Sequence, residues 1–220
     1  MADASEGLTP ETFLEELRRS RLVAIVRGTD PEAAEAATLA LFEEGIMLVE
    51  VALTTPDALQ VIERVRHRMP AGALLGAGTV LTPADVEAAR AAGAEFVVTP
   101  AVAPSVEAAA AHGIPVAAGA LTPTEAHLAR LMGATVVKLF PASSGGPGYL
   151  RALRDPFPDI PFMAVGGVGL EQAEDYLTAG AVAVGVGGPL VGDAAAGGSL
   201  DALRERARGF VRLADRTPSA

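Results

Sequence analysis

The sequence of 220 residues contains no cysteine and no tryptophan. Without cysteine, the chain can form no disulfide bond, no thiolate metal site and no cysteine nucleophile. It also has no run of about 18 apolar residues, so no membrane-spanning helix is predicted. The first seven residues are acidic and polar and lack the basic and apolar regions of a secretory signal. We therefore expect a cytoplasmic protein that does not act on a membrane.

Positive charge is scarce as well. The chain has 27 Asp and Glu residues against 17 Lys and Arg, which gives a formal net charge of −10. Such a charge disfavours the phosphate backbone of a nucleic acid, so we expect no nucleic-acid partner. Half of the residues are hydrophobic, and this argues for a folded protein rather than a disordered chain.

Eight short apolar runs alternate with alanine-rich amphipathic stretches. The runs occupy residues 22–26, 46–53, 73–75, 96–98, 115–118, 135–139, 162–165 and 181–186. Apolar runs of this length are typical of buried parallel strands. Between them, residues that cap helices precede proline at Asp30, Thr55, Thr82 and Thr122, and each pair predicts a helix start.

Eight repeated strand–helix units predict an α/β fold, a single (β/α)₈ TIM barrel. Leu14 and Leu17 indicate an extra helix before the first strand. An open doubly wound sheet is the alternative, but residues 27–30 after the first strand lack its glycine fingerprint. We predict one domain over residues 1–220, with residues 215–220 as a frayed tail.

In a TIM barrel, the chemistry takes place at the C-terminal ends of the strands. Arg27 follows the first predicted strand, Glu50 lies within the second and Thr79 follows the third. Pro100 follows the fourth strand, and Lys138 lies near the end of the sixth. We expect these side chains to meet at one mouth of the barrel.

Lys138 is the only lysine, since sixteen of the 17 basic residues are arginine. An ammonium group inside an apolar strand is costly, and burial lowers the pKa of a lysine. An amine that is partly neutral near pH 7 can attack a carbonyl and form a Schiff base, which an arginine cannot do. A purely structural lysine that bridges carboxylates of the barrel is the alternative.

Glu50 lies in a strand that is apolar on both sides, so its carboxylate has no solvated face. We expect it to point into the barrel and meet Lys138 there, where it can transfer protons as a general acid and base. A buried ion pair that only stabilises the barrel is the alternative.

Two glycine pairs follow the last two strands, Gly166-Gly167 and Gly187-Gly188. Loops at these positions of a TIM barrel often bind phosphate, because their free backbone N–H groups face the ligand. Ordinary turns are the alternative for either pair alone. The three histidines fall on predicted helices or helix ends, so we expect no metal site and no cofactor.

Five segments of the chain resemble the 2-keto-3-deoxy-6-phosphogluconate (KDPG) aldolase family, whose members often also act on 4-hydroxy-2-oxoglutarate. These segments are residues 49–51, 76–81, 98–100, 137–142 and 165–168. The resemblance extends from about residue 22 to residue 190. It implies a metal-independent class I aldolase on a (β/α)₈ barrel, commonly a homotrimer, of the Entner–Doudoroff pathway.

The resemblance also implies a role for each matching residue. Lys138 would be the Schiff-base lysine and Glu50 the general acid and base. Thr79 and Pro100 would line the pyruvate end of the site, and Phe140 would pack beside the imine. The phosphate would be held by Gly166, Gly167 and Gly188.

The chain departs from the family pattern at three positions. Many KDPG aldolases have arginine where Thr54 stands, contacting the substrate carboxylate. In this chain Arg27 would take over that charge pairing, or Thr79 and backbone amides would hold the acid. Several members have serine in place of Gly188. Val165 stands where KDPG-specific members often have threonine and relatives acting on the galactonate epimer have valine. The configuration at C4 of the substrate is therefore left open.

The sequence thus predicts a lyase that cleaves a phosphorylated 2-keto-3-deoxy sugar acid to pyruvate and glyceraldehyde 3-phosphate, with Lys138 as the nucleophile. A sugar-phosphate epimerase or isomerase, using a lysine and a carboxylate without a covalent step, is the first alternative. A barrel that binds a phosphosugar without turnover is the second.

Overall fold

The computed structural model describes residues 7–216. Eight parallel strands form a closed barrel in which neighbours in space are neighbours in the chain. The strands are β1 (Leu22–Val26), β2 (Leu48–Ala52), β3 (Leu74–Gly78), β4 (Phe96–Val98), β5 (Val116–Ala120), β6 (Val136–Leu139), β7 (Phe162–Val165) and β8 (Ala183–Val186). The predicted TIM barrel is confirmed.

Helices surround the barrel. They are α1 (Pro10–Ser20), α2 (Pro31–Glu43), α3 (Ala58–Arg66), α4 (Pro83–Ala91), α5 (Pro104–Ala111), α6 (Pro123–Leu131), α7 (Gly146–Arg154), α8 (Leu170–Thr178), α9 (Gly188–Val191) and α10 (Leu200–Arg216). Short 3₁₀ turns occupy Ala142–Ser144 and Ala194–Ala196. None of the helices within residues 7–216 combines the length and the apolar character that crossing a membrane requires.

Strand β3 is longer than predicted and includes the glycine-rich segment 76–78. Glycine is normally unfavourable within a strand, but here its missing side chain makes room for neighbours. A Cβ placed on Gly76 would lie 2.4 Å from the Phe96 ring. In β5, a Cβ on Gly119 would lie 2.3 Å from the Pro100 backbone. The narrow barrel interior therefore requires glycine at these positions.

Three of the four predicted cap-and-proline starts are confirmed. The side chains of Asp30, Thr82 and Thr122 accept hydrogen bonds from the first turns of α2, α4 and α6. The prediction at Thr55 is wrong, because α3 begins only at Ala58. The buried Thr55 hydroxyl instead accepts a hydrogen bond of 3.2 Å from the Gly28 amide in the β1–α2 loop.

Helix α1, the predicted extra helix, packs against the barrel interior. Its Phe13 and Leu17 are almost fully buried and join a core cluster made mainly of side chains from the strands. The rings of Phe13 and Phe96 stack with their centroids 4.8 Å apart. Side chains from α1 thus help to fill the barrel.

Helix α10 packs against α2 and α8 and runs to Arg216. Residues 215 and 216, the first two of the predicted frayed tail, are helical and exposed, and their fraying stays a prediction. Residues 217–220 of that prediction lie outside the described part of the chain. The assignment of residues 1–220 to one domain stays a prediction.

We expect Phe13→Ala to lower the free energy of unfolding by about 3–5 kcal/mol, because it leaves a cavity against Phe96 in a tightly packed interior. Urea denaturation followed by circular dichroism measures the change. Leu14→Ala is the matched control on the same helix, because Leu14 is only half-buried. Equal losses for the two variants would contradict this account of α1.

Candidate active site

A cavity of about 340 Å³ opens at the C-terminal ends of the strands. Ten residues singled out in the sequence line it: Arg27, Thr79, Pro100, Lys138, Phe140, Val165, Gly166, Gly167, Gly187 and Gly188. A second cavity, of about 360 Å³, lies at the N-terminal ends of β1, β7 and β8, on the opposite side of the barrel. Its lining contains arginine but no lysine. The lysine is therefore found at the mouth where barrel chemistry is expected.

Lys138 is 6% exposed and belongs to β6, between Gly119 of β5 and Met163 of β7. Burial lowers the pKa of its amine, the carboxylate of Glu50 opposes this effect, and the charge of Arg27 adds to it. The Phe140 ring lies beside the amine, with its centroid 5.1 Å from Nζ. The arrangement favours a neutral, nucleophilic amine next to an open cavity.

Glu50 lies in β2 between Ile25 and Gly76 and is only 2% exposed. Burial raises the pKa of its carboxyl group, while the charges of Lys138 and Arg27 act in the opposite direction. Its Oε2 atom is buried and has no hydrogen-bond partner among the described residues. Unlike the other predicted site residues, Glu50 does not line the cavity. A buried carboxylate oxygen without a partner can accept a hydrogen bond from a water molecule.

The two groups influence each other's pKa without forming a direct ion pair. Among the ion pairs within residues 7–216, none includes Lys138 or Glu50. The two structural alternatives, a lysine bridging carboxylates and a stabilising buried pair, both require such a contact. The amine of Lys138 therefore lines the cavity without an ion-pair partner among residues 7–216, whereas Glu50 does not line the cavity.

Gly78 makes room for the Glu50 side chain. A Cβ placed on Gly78 would lie 2.6 Å from Glu50 Oε1 and 3.0 Å from Cδ. The carboxylate occupies this space because β3 presents no side chain at its last position. Gly78 therefore has a role in the site that the sequence pattern did not indicate.

Arg27 and Thr79 meet at the edge of the cavity. Arg27 Nη2 donates a hydrogen bond of 3.3 Å to Thr79 Oγ1. Thr79 has a φ of +61°, which is rare and strained for a β-branched residue. Thr54 does not line this cavity and is exposed. The cationic group at this edge is thus Arg27.

The first glycine pair forms a tight loop after β7. Gly166 and Gly167 have φ values of +93° and +73°, a region that favours glycine. A Cβ on Gly166 would lie 3.0 Å from the Phe140 ring, and one on Gly167 would lie 2.6 Å from Ser143 Cβ. The missing side chains bring this backbone close to the loop that follows Lys138.

Backbone N–H groups at the glycine pairs remain free. Among residues 7–216, the amides of Gly166, Gly167 and Gly188 donate to no protein acceptor. Ser143 N donates to Gly166 O at 3.0 Å, and the buried Tyr176 hydroxyl donates to Ala142 O at 2.7 Å. These bonds connect the β7 loop with the turn after β6, so the free amides of Gly166 and Gly167 belong to a backbone that its neighbours hold in place. Free amides in a fixed backbone can bind an anion.

Six cavity residues were missed in the sequence: Ile25, Val168, Gly185, Pro189, Val191 and Gly192. Two of them carried a usable signal. Ile25 precedes Arg27 by two positions and Gly185 precedes Gly187 by two, and alternate residues of a strand share a face. Val191 and Gly192 carried no such signal, because the bend of the chain after β8 places them.

Pro100 is held at the cavity by Thr99, which is fully buried. Thr99 Oγ1 donates to Ala101 O at 2.6 Å and accepts from Gly119 N at 3.1 Å. The hydroxyl group thus bridges β4 and β5 and sets the course of the chain through Pro100. This supporting contact was not predicted.

A model of the KDPG and KHG aldolase family matches residues 14–203. The chain belongs to this family. It is 42% identical over 171 residues to a probable 2-dehydro-3-deoxy-6-phosphogalactonate aldolase of Rhizobium meliloti (strain 1021), covering 77% of this chain and 81% of the relative. It is 37% identical over 193 residues to the 2-dehydro-3-deoxy-6-phosphogalactonate aldolase of Escherichia coli (strain K12), covering 87% and 93%. A 2-dehydro-3-deoxy-phosphogluconate aldolase of Treponema pallidum (strain Nichols) is 38% identical over 168 residues, covering 76% and 80%.

Solved structures of family members have the same fold. A structure described as native KDPGal superposes with a TM-score of 0.83 at 35% identity, covering 89% of this chain and 95% of that one. A KDPG aldolase from Legionella pneumophila, with pyruvate captured as a covalent carbinolamine intermediate, superposes with a TM-score of 0.77 at 29% identity. This second alignment covers 96% of this chain and 99% of the Legionella chain.

We expect Gly78→Ala to lower the turnover number of this family member roughly 10²-fold, the range typical of a lost general acid or base. The new Cβ meets the end of a flexible side chain, so the carboxylate moves and the barrel remains folded. Steady-state release of pyruvate measures the effect. Gly148→Ala is the control, because a Cβ at Gly148 meets nothing within 4 Å. Full activity of Gly78→Ala would contradict the proposed need for space.

We expect Glu50→Gln to stabilise the fold at neutral pH, by at least about 1 kcal/mol. The folded state raises the pKa of Glu50, so its contribution to the free energy of unfolding is fully present below the ordinary glutamate pKa and is lost as the pH rises through the raised value. Glutamine does not titrate and avoids this loss. The difference in Tm between variant and parent should therefore grow from pH 4 to pH 8. A difference independent of pH would show that burial of the carboxylate is not its cause.

Proposed function

We propose that the chain is a class I aldolase that cleaves a 2-keto-3-deoxy-6-phospho sugar acid to pyruvate and glyceraldehyde 3-phosphate. The observation that carries this proposal is the buried amine of Lys138, without an ion-pair partner among residues 7–216 and next to a cavity that opens at the barrel mouth. Membership of the aldolase family supports it. Family membership does not favour an isomerase or a barrel without turnover.

In the first step, the neutral Lys138 Nζ attacks the C2 ketone to give a carbinolamine. Glu50, whose acid form is favoured by burial, donates a proton to the carbinolamine hydroxyl group, which leaves as water, and an iminium ion remains. The Glu50 carboxylate formed in this way then removes the proton of the C4 hydroxyl group through a water molecule. The C3–C4 bond then breaks, its electron pair passes to the iminium to form an enamine, and the C4 carbonyl leaves with the aldehyde. Glu50 returns its proton to C3, and water hydrolyses the new iminium to pyruvate and free Lys138.

The other cavity residues hold the two ends of the substrate in this proposal. Arg27 and Thr79 bind the carboxylate next to the C2 ketone, because Arg27 supplies the positive charge at that edge. Pro100 and Phe140 form apolar walls around the imine. The amides of the two glycine pairs bind the phosphate at the far end. The same site has room for the smaller 4-hydroxy-2-oxoglutarate.

We further propose that the galactonate-series epimer is the preferred substrate. Val165, an apolar residue on the cavity wall, supports this, as do the names of the Rhizobium meliloti and Escherichia coli relatives. Pyruvate release from the two C4 epimers, measured side by side, tests the preference. A higher kcat/KM for the gluconate epimer would overturn it.

We also propose a homotrimer, as the family resemblance implies. The neighbouring Leu128 and Leu131 on α6 are 44% and 71% exposed, and a subunit contact would cover such apolar surface. A solution mass three times that of the 22.3 kDa chain is expected in sedimentation equilibrium. The cytoplasmic location stays a prediction.

Borohydride trapping tests the covalent step. Incubation with pyruvate and borohydride should add a three-carbon group to Lys138 and abolish activity, because reduction makes the Schiff base permanent. The assignment is simple, since the chain has a single lysine. Lys138→Arg should give no adduct and no pyruvate release while the protein remains folded. An unmodified parent protein would favour the isomerase instead.

A further inference from the structure

The segment after β8 forms one wall of the active-site cavity. Gly187, Gly188, Pro189, Val191 and Gly192 all line the cavity. We call residues 187–192 the β8 loop. Its only regular structure is the single turn of α9. This turn has backbone hydrogen bonds of its own, from the amides of residues 190 and 191 to Gly187 O and from Gly192 N to Gly188 O. Because a single turn is unstable in isolation, contacts from outside are needed to keep the loop in position.

Arg206 of α10 contacts the β8 loop from behind. Its Nε donates to Leu190 O at 2.7 Å and its Nη2 donates to Val191 O at 3.0 Å. A Cβ placed on Gly192 would lie 2.5 Å from Arg206 Nη2. The planar guanidinium therefore lies against the backbone of the loop and binds two successive carbonyl groups, which a lysine cannot do with the same geometry.

Arg206 differs from the arginines on either side of it in α10. Arg204 pairs with Glu43 and Glu44, and Arg208 pairs with Glu44. Among the ion pairs within residues 7–216, none includes Arg206. Its partners are backbone carbonyl groups of the cavity wall, so its charge has no carboxylate in contact.

We propose that Arg206 is a positioning residue for the phosphate end of the substrate. It holds the β8 loop in place, and with it Gly188, which lines the cavity and whose amide has no acceptor among residues 7–216. Arg206 itself does not line the cavity and does not touch the substrate. The inference rests on the proposed function, because that function assigns the phosphate to this loop.

The test compares Arg206→Gln and Arg206→Lys with Arg208→Gln, a control on the same helix with an exposed side chain. We expect both Arg206 variants to raise KM for the phosphorylated substrate about tenfold, the effect of losing one or two hydrogen bonds that order a binding loop. The turnover number should change less than twofold. Arg208→Gln should leave both constants unchanged.

Two further measurements separate positioning from general stability. The Kd of inorganic phosphate, measured by calorimetry, should rise about tenfold in both Arg206 variants. The rate of borohydride trapping with pyruvate should stay unchanged, because pyruvate carries no phosphate. Arg206→Lys keeps the charge, so it also provides a folded variant if Arg206→Gln is unstable.

Unchanged KM and Kd in the Arg206 variants would overturn the inference. So would a parallel loss of pyruvate trapping, or an equal effect of Arg208→Gln, because either result indicates only a general structural role. If the parent protein releases no pyruvate from either epimer, the proposed function fails. The comparison of phosphate binding still decides on Arg206 in that case.

Discussion

The site depends on one constraint. The barrel interior removes both an amine and a carboxylate from water. Burial lowers the pKa of Lys138 and raises the pKa of Glu50, so it favours the uncharged form of each group. A direct ion pair would reverse both effects and hold the amine protonated. In the proposed reaction the amine, which has no ion-pair partner among residues 7–216, is the nucleophile, and the carboxyl group transfers the protons.

Space inside the barrel is the second constraint. Parallel strands in a closed barrel bring side chains from all directions toward one axis, and a large side chain on one strand requires a small one opposite. Gly78 gives this space to Glu50, and Gly76 gives it to Phe96. Glycine weakens a strand in isolation, yet here it allows a buried carboxylate to lie close to the amine. The glycines make β3 less stable as an isolated strand, but the closed barrel holds the strand in place.

The part of the cavity to which we assign the phosphate is held by contacts from outside the barrel. The turn after β6 is bonded to Tyr176 of α8 and to the glycine loop after β7, and the β8 loop is bonded to Arg206 of α10. These outer helices therefore do more than cover the strands. They hold two short backbone segments that line the cavity. In the proposed reaction the amine and the carboxyl group depend on burial, while the phosphate depends on backbone amides held in place.

The order of strands and helices could be predicted from the sequence, because apolar runs and cap residues are local signals. The sequence also determined Lys138 and Glu50, since a charged residue in a strand that is apolar on both sides has no place except the barrel interior. Three other features became visible only in the tertiary structure. They are the strained φ of Thr79, the space at Gly78 and the contact of Arg206 with the β8 loop. Arg27 and Thr79 are 52 residues apart in the chain, and the pattern of neither segment refers to the other. Contacts of this kind arise when the barrel closes, because closure sets the distances between loops that local sequence cannot specify.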